Sequence, residues 1–346
     1  LFGLWGSSSR DIWIGTSYGG FLHRTGSSWD TVSFLNSYTI YDLWGSNFKN
    51  VWSVGSQGQI GRFNGDTWAP VQSSTTAYLR SIWGFPSDEK WVVGDAGTIL
   101  HGTGTTLAQI PSGVTYNLYG VWGSNPNDVW AVGQGGIILH WDGKSWSTAP
   151  YGNAQDLASV SGSGPADLWA TSKGAILHWT GNGWISSPAG LASFRGIWAI
   201  TRNDVWAVGD AGTIVHWDGT AWSPFSSGTT NRLTAVWASA ASDVWAVGDK
   251  IVSHYDGKLW TASAVTGYLS AVWGTGSDNV WAAGGSGVTL HWTGGPWTAV
   301  TSTTMTDLTA VWGSGPSDIW AMGSSGACIR WNGSSWNGPG GSTATA

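Results

Sequence analysis

The chain has 346 residues, of which 10% are charged, 53 are glycine and 30 are tryptophan, and its formal net charge is −6. Its Lys and Arg are scattered with no basic stripe, which argues against nucleic acid as a partner, and no apolar run reaches the ~18 residues of a membrane span. The single cysteine, Cys328, excludes an internal disulfide or thiolate cluster; in a slot that Ile99 and Ile138 hold elsewhere, it reads as a small buried hydrophobe.

From Leu1 onward, every tryptophan falls on one of four positions in a unit repeated nine times. The first set is Trp5, Trp44, Trp83, Trp122, Trp198, Trp237, Trp273 and Trp312, with Ser161 in the slot once. Eight residues later come Trp13, Trp52, Trp91, Trp130, Trp169, Trp206, Trp245, Trp281 and Trp320, without exception. A third set, Trp29, Trp68, Trp146, Trp184, Trp222, Trp260, Trp297 and Trp336, lapses only at Leu107. The fourth, Trp141, Trp179, Trp217, Trp292 and Trp331, lies five residues before members of the third.

The units run end to end: 1–39, 40–78, 79–117, 118–156, 157–193, 194–232, 233–268, 269–307 and 308–346. A period of this size marks a propeller or solenoid. Length alone would suggest two domains, but no Pro-rich or charged linker separates any two units. The expectation is therefore all-β: a nine-bladed β-propeller of four-stranded antiparallel blades, one closed domain over 1–346. The ninth unit is the weakest, because Asn337-Gly-Pro-Gly-Gly makes a poor strand. Either its last strand is short or further residues complete the ring. Leu1 is not an initiating Met and leaves room for a removed leader.

The fourth unit shows the content of one blade. Leu118-Tyr-Gly-Val-Trp-Gly, Val129-Trp-Ala-Val, Ile137-Ile-Leu-His-Trp and a short run from Trp146 are four β-prone segments, separated by tight-turn residues. A hairpin closed near Pro126 sets Trp122 opposite Trp130, and one closed at Asp142-Gly-Lys-Ser sets Trp141 opposite Trp146. The third unit loses both outer partners together, as Gly102 and Leu107. Two residues before each second-set Trp stands an acid or its amide, such as Asp128 or Asn279, which reads as a turn residue bonding nearby amides. All seven histidines share one slot, with Arg62 and Arg330 in its other two places. That spread across blades argues for hydrogen bonding rather than a metal site.

No nucleophile elbow, metal-binding histidine pair or phosphate loop is present, so the expectation is a protein that is not an enzyme, with no cofactor and no metal. The one asymmetric alternative lies three residues before the first-set Trp. There Tyr41, Arg80, Tyr119 and Arg195 mark a patch at the mouth of a central channel, where an enzyme site would sit.

The text Val-Trp-Gly-Ser-x-Pro-x-Asp-Val-Trp-Ala-Val-Gly, continued by Ile-Leu-His-Trp-Asp-Gly-x-x-Trp, resembles the Trp-rich propeller repeats of bacterial secreted and surface proteins. Its Asp-Gly-x-x-Trp part, as in Asp142 to Trp146 and Asp218 to Trp222, is similar to the Asp-box turn of sialidase-like propellers, and the wider pattern to tectonin-type propeller lectins. The sialidase arginine triad, tyrosine nucleophile and acid do not map onto this chain. The resemblance implies an extracellular or cell-surface, lectin-like protein whose partner is a glycan or surface polymer. The expected binding residues are the outer pairs Trp141 and Trp146, Trp179 and Trp184, Trp217 and Trp222, Trp292 and Trp297, and Trp331 and Trp336. The alternative is a scaffold that binds another protein on one propeller face without a small ligand.

Overall fold

The structure is a computed structural model and describes residues 3–8, 11–16, 19–26, 28–34, 38–149, 155–172, 174–186, 193–324 and 327–338. Glycine-rich turns cut the chain into short runs of Val, Ile, Leu and Trp, and these form antiparallel sheets whose strands follow chain order. The fourth repeat is representative. Leu118–Asn125, Asp128–Gly133, Ile138–Trp141 and Trp146–Thr148 pair in sequence, with Trp122 opposite Trp130 and Trp141 opposite Trp146. This is the content of a propeller blade, and the fold is an all-β propeller.

The expectation of nine blades is corrected. The strands form eight sheets, seven of four strands and one of six. Repeats seven and eight share the six-stranded sheet, because two elements there run through what are breaks elsewhere. Asp243–Tyr255 spans the positions of two strands, and Trp260–Gly276 joins the last strand of one repeat to the first of the next. The cause lies in the shortened seventh repeat. Gly248-Asp-Lys-Ile251 replaces the longer Gly209-Asp-Ala-Gly-Thr213 turn: Lys250 takes the left-handed φ of 57° that Ala211 has at 53°, and the glycine that follows Ala211 has no counterpart. The loop before Leu269 is short as well, so Asp249 pairs with Tyr268 across an irregularity in register and the ladder continues past it. In the ninth repeat the last strand is only Trp336–Asn337, as its glycine-rich tail suggests.

Two compact units divide the chain. Residues 1–172 with 176–186 hold the sheets of the first five repeats, and 173–175 with 187–346 hold the other three sheets. Within each unit the first strands of successive repeats lie beside one another. The apolar core is therefore a series of layers between sheets. One layer joins Trp44, Trp52 and Val54 to Leu79, Ile82 and Val92 of the next repeat, and another joins Trp206 and Val208 to Leu233, Val236 and Val244. Because a sheet inside such a stack is covered on both faces, Val129-Trp-Ala-Val is buried throughout instead of alternating.

The Trp-Gly dipeptide of the first strand has a packing reason. The first-set ring of one repeat lies on the glycine of the next, so a Cβ at Gly84 would stand 2.8 Å from the Trp44 ring, and one at Gly45 would stand 2.7 Å from Trp5. The first-set rings contact each other between repeats, as Trp83 and Trp122 do at 6.0 Å. Gly84→Ala should therefore lower stability by about 1–3 kcal/mol through overpacking. Gly164→Ala, where nothing lies within 4 Å, should stay within about 0.5 kcal/mol. Urea denaturation of the two variants checks the difference.

Candidate functional site

The acid slot and the histidine slot meet inside each sheet. Asp128 Oδ1 accepts a hydrogen bond from Trp130 Nε1 at 2.9 Å and faces His140 Nε2 at 2.7 Å, while its Oδ2 accepts from the Ser124 hydroxyl. The His140 ring stacks on Trp130 with centroids 4.0 Å apart. Ser239, Asp243, Trp245 and His254 repeat the set, and so do Ser314, Asp318 and Trp320 with Arg330 in the histidine slot. The acids thus hold a second-set Trp and its stacking partner in place, in addition to bonding a hydroxyl across the turn. Burial alone would raise the Asp128 carboxyl, but hydrogen bonds from His140, Ser124 and Trp130 outweigh it and hold the group below the usual carboxylate range. Among the described residues, no group of three His, Cys, Asp or Glu side chains could hold a metal ion.

The outer pairs are the candidate ligand residues, and wherever their contacts are described the structure places them between successive repeats. Trp141 and Trp146 close on Trp91 of the preceding repeat, at 5.1 Å and, edge-on, at 5.3 Å. Trp179 and Trp184 close on Trp130 in the same way, Trp292 and Trp297 on Trp245, and Trp331 and Trp336 on Trp281. Phe63 with Trp68, and Tyr255 with Trp260, do the same to Trp13 and Trp206. Trp217, Trp222 and Trp336 are buried and the other seven candidates are half-buried. The indole nitrogens of Trp146, Trp184, Trp297 and Trp336 are buried with no hydrogen-bond partner, out of reach of a sugar hydroxyl. Trp179 and Trp292 donate to backbone oxygens of Pro165 and Ser277.

The third repeat breaks this pattern in a compensated way. Where Gly102 and Leu107 replace the outer pair, Lys90 takes a slot filled elsewhere by Val, Ile or Leu. It is fully buried, with its ammonium 4.5 Å from the centre of the Trp52 ring. The same ammonium donates to Asp88 Oδ1 at 2.8 Å and to the Asp88 backbone oxygen. Asp88 also accepts from Asn50 and from the Gly104 amide. Sequence reasoning noted the paired loss of the two tryptophans but missed its partner. A lysine in an otherwise apolar column was the available signal.

Of the proposed channel-mouth residues, Tyr41, Arg80 and Tyr119 belong to the first compact unit and Arg195 to the second. Arg80 forks onto Asp95 at 2.8 and 2.9 Å and lies over the Tyr41 and Tyr78 rings at 5.0 and 5.3 Å. Arg195 forks onto Asp210 at 2.9 and 3.0 Å. Both guanidinium groups are thus matched by a carboxylate of their own sheet. At the opposite turn, Asp218 accepts from the Thr220 hydroxyl and from the Ala221 and Thr220 amides, which together lower its carboxyl to about 2.

No protein-family model matches the chain, and no curated protein matches it. Similarity to solved structures runs to β-propellers. It includes YCF48 bound to D1 peptide (20% identity, 77% of this chain and 95% of that one, TM-score 0.45). The WD40 beta propeller domain of Doa1 is a second (14%, 73% and 92%, TM-score 0.44). The computationally designed Ika8 protein is also similar (16%, 85% and 96%, TM-score 0.55). At these identities the likeness is one of fold alone, and it supports no narrower family such as Asp-box or tectonin-type proteins.

Two outcomes follow from the site geometry. Lys90→Met keeps most of the volume but leaves Asp88 without its ammonium, and should cost about 1–3 kcal/mol in urea denaturation. The Asp218 carboxyl is depressed in the folded state, so its contribution to stability is present above the unfolded carboxylate range near pH ~4 and is lost as pH falls toward 2. Thermal melts between pH 5 and 2 should show this slope. Asp218→Asn, which keeps an acceptor and loses the titration, should make it shallower without removing it, since Asp142 and Asp256 are held low by amides in the same turn slot.

Proposed function

We propose that this protein is a non-catalytic β-propeller that serves as a protein-interaction scaffold. The observation that supports this reading is the placement of the outer tryptophans. An aromatic platform for a sugar needs an open ring face and hydrogen-bonding groups beside it, whereas these rings close on the second-set Trp of the preceding repeat wherever that contact is described. Trp217 and Trp222 are buried. The repeated polar groups are occupied too, since the acids, histidines and hydroxyls of the sheets bond one another. What remains for recognition is the set of loops at the sheet ends, whose sequence varies from repeat to repeat while the sheets stay constant.

A glycan panel tests this against the lectin-like reading of the same rings. Intrinsic tryptophan fluorescence should stay unchanged across the panel, and Trp141→Ala should lower thermal stability. A saturable fluorescence shift with several equivalent sites per chain, abolished by Trp141→Ala and Trp292→Ala in folded protein, would return the outer pairs to ligand binding.

A further inference from the structure

One pairing departs from the repeat in its charge. Each residue of the histidine slot contacts the acid or amide that stands two residues before the second-set Trp. Seven of the nine partners are carboxylates, among them Asp318, which faces Arg330 at 2.7 Å. The other two are Asn50 and Asn279. Asn279 faces His291, whose imidazole is pushed below its ordinary value by burial, so neither partner is charged. Asn50 faces Arg62, and a guanidinium keeps its charge at any working pH.

The neighbouring repeat explains the amide. Asn50 Nδ2 donates to Asp88 Oδ1 at 3.0 Å, where an aspartate would set two carboxylates together. Asn50 Oδ1 accepts from Trp52 Nε1 at 3.0 Å and from Arg62 Nε at 3.2 Å. The Arg62 guanidinium lies 5.6 Å from the centre of the Trp52 ring, which also carries the Lys90 ammonium. This one cluster therefore holds two cations, Arg62 and Lys90, and a single carboxylate. That carboxylate is committed, since Asp88 Oδ1 bonds Lys90 and Asn50 while Oδ2 bonds the Gly104 amide. Glu89 of the next repeat faces His101 instead. Arg62 is half-buried and forms no ion pair among the described residues, and its two terminal nitrogens are open to solvent without a protein partner.

Charge and shape narrow the ligand. One unmatched positive charge fits a group with one negative charge, and the open end of a guanidinium takes a planar carboxylate through two parallel N–H bonds. Partial exclusion of water strengthens such a pair. A phosphate would bring a second negative charge beside Asp88. The turn that enters Asn50 supplies the surroundings. Phe48, two residues before Asn50, is the only aromatic in its slot among the nine turns and is 55% exposed, with the Lys49 ammonium 5.3 Å from its ring centre. An arginine and an aromatic at one sheet end are the residue types that anchor protein interfaces. The net charge of −6 repels an acidic chain as a whole, so its capture depends on a local site of this kind.

We propose that Arg62, flanked by Phe48 and Lys49, receives a side-chain carboxylate from an acidic segment of a partner protein. This rests on the scaffold reading above and names the chemistry of its partner. The test is a selection of displayed random peptides against the full chain, followed by fluorescence anisotropy of the labelled enriched peptides near pH ~8, where an ordinary imidazole is neutral. Enriched peptides should carry Asp or Glu, bind at one site per chain and weaken as salt rises. Exchanging that acid for its amide should weaken binding roughly tenfold or more. Arg62→His gives the second repeat the amide–histidine set of the eighth. It should weaken the acidic peptide by a similar factor and abolish the preference for acid over amide. Arg330→His changes the net charge equally, at an arginine that Asp318 already matches, and should leave both unchanged. Enriched peptides without an acidic residue, equal binding by the Arg62→His protein, or no enrichment at all overturn this site. Tighter binding of inorganic phosphate than of the peptides does so too. Each of these leaves the scaffold reading standing, which a saturable, tryptophan-dependent response on the glycan panel would remove.

Discussion

The second-set tryptophan is the piece on which each sheet and its neighbour both depend. From its own sheet it receives a stacked histidine and, in several repeats, a carboxylate that accepts its indole N–H, as at Trp130 and Trp245. From the next repeat it receives two further rings, one tilted and one edge-on. A large indole fixed by a hydrogen bond and covered on its remaining sides cannot shift without disturbing two sheets at once. That constraint explains why this position alone is tryptophan in every repeat, while the first, third and fourth positions each lapse somewhere.

Symmetry also decides where recognition can sit. A contact repeated between successive repeats of each unit ties them together, and the groups in it are spent on one another. Asp128, His140 and Ser124 make a chemically attractive trio, yet each is held by the others within one sheet. Departures from the repeat are of two kinds. Lys90 repairs a local loss, replacing two missing rings with a buried cation over Trp52. The tyrosines around Arg80 repair nothing in the packing and stand at the ends of the sheets, partly in solvent.

Much of the fold was legible because tryptophan and glycine mark it twice. The rings show where strands pair, and the register of Trp122 with Trp130 and of Trp141 with Trp146 is the one their spacing implies. The glycines show where rings press on backbone, as Trp44 does on Gly84. Reading the outer pairs as open platforms was the less secure step. A cross-strand pair looks the same in sequence whether its outer face meets solvent or a neighbouring sheet, and intersheet contacts have no local signature. The same limit applies to the patch named from Tyr41, Arg80, Tyr119 and Arg195. Spacing identified the shared slot, but not that Arg80 would be matched by Asp95 or joined by Tyr78.

The sequence by itself determined the repeat, the antiparallel pairing within it and the residues that form each turn, because these depend on alternation, spacing and backbone preference over a few residues. The tertiary structure alone decided how many sheets those repeats make, since Asp249 and Tyr268 pair across the shortened seventh repeat and fuse it with the eighth. It also decided which rings are covered. Coverage depends on what lies on the far side of a sheet, brought there by residues about fifty positions along the chain, as the Trp91 and Trp130 clamps show.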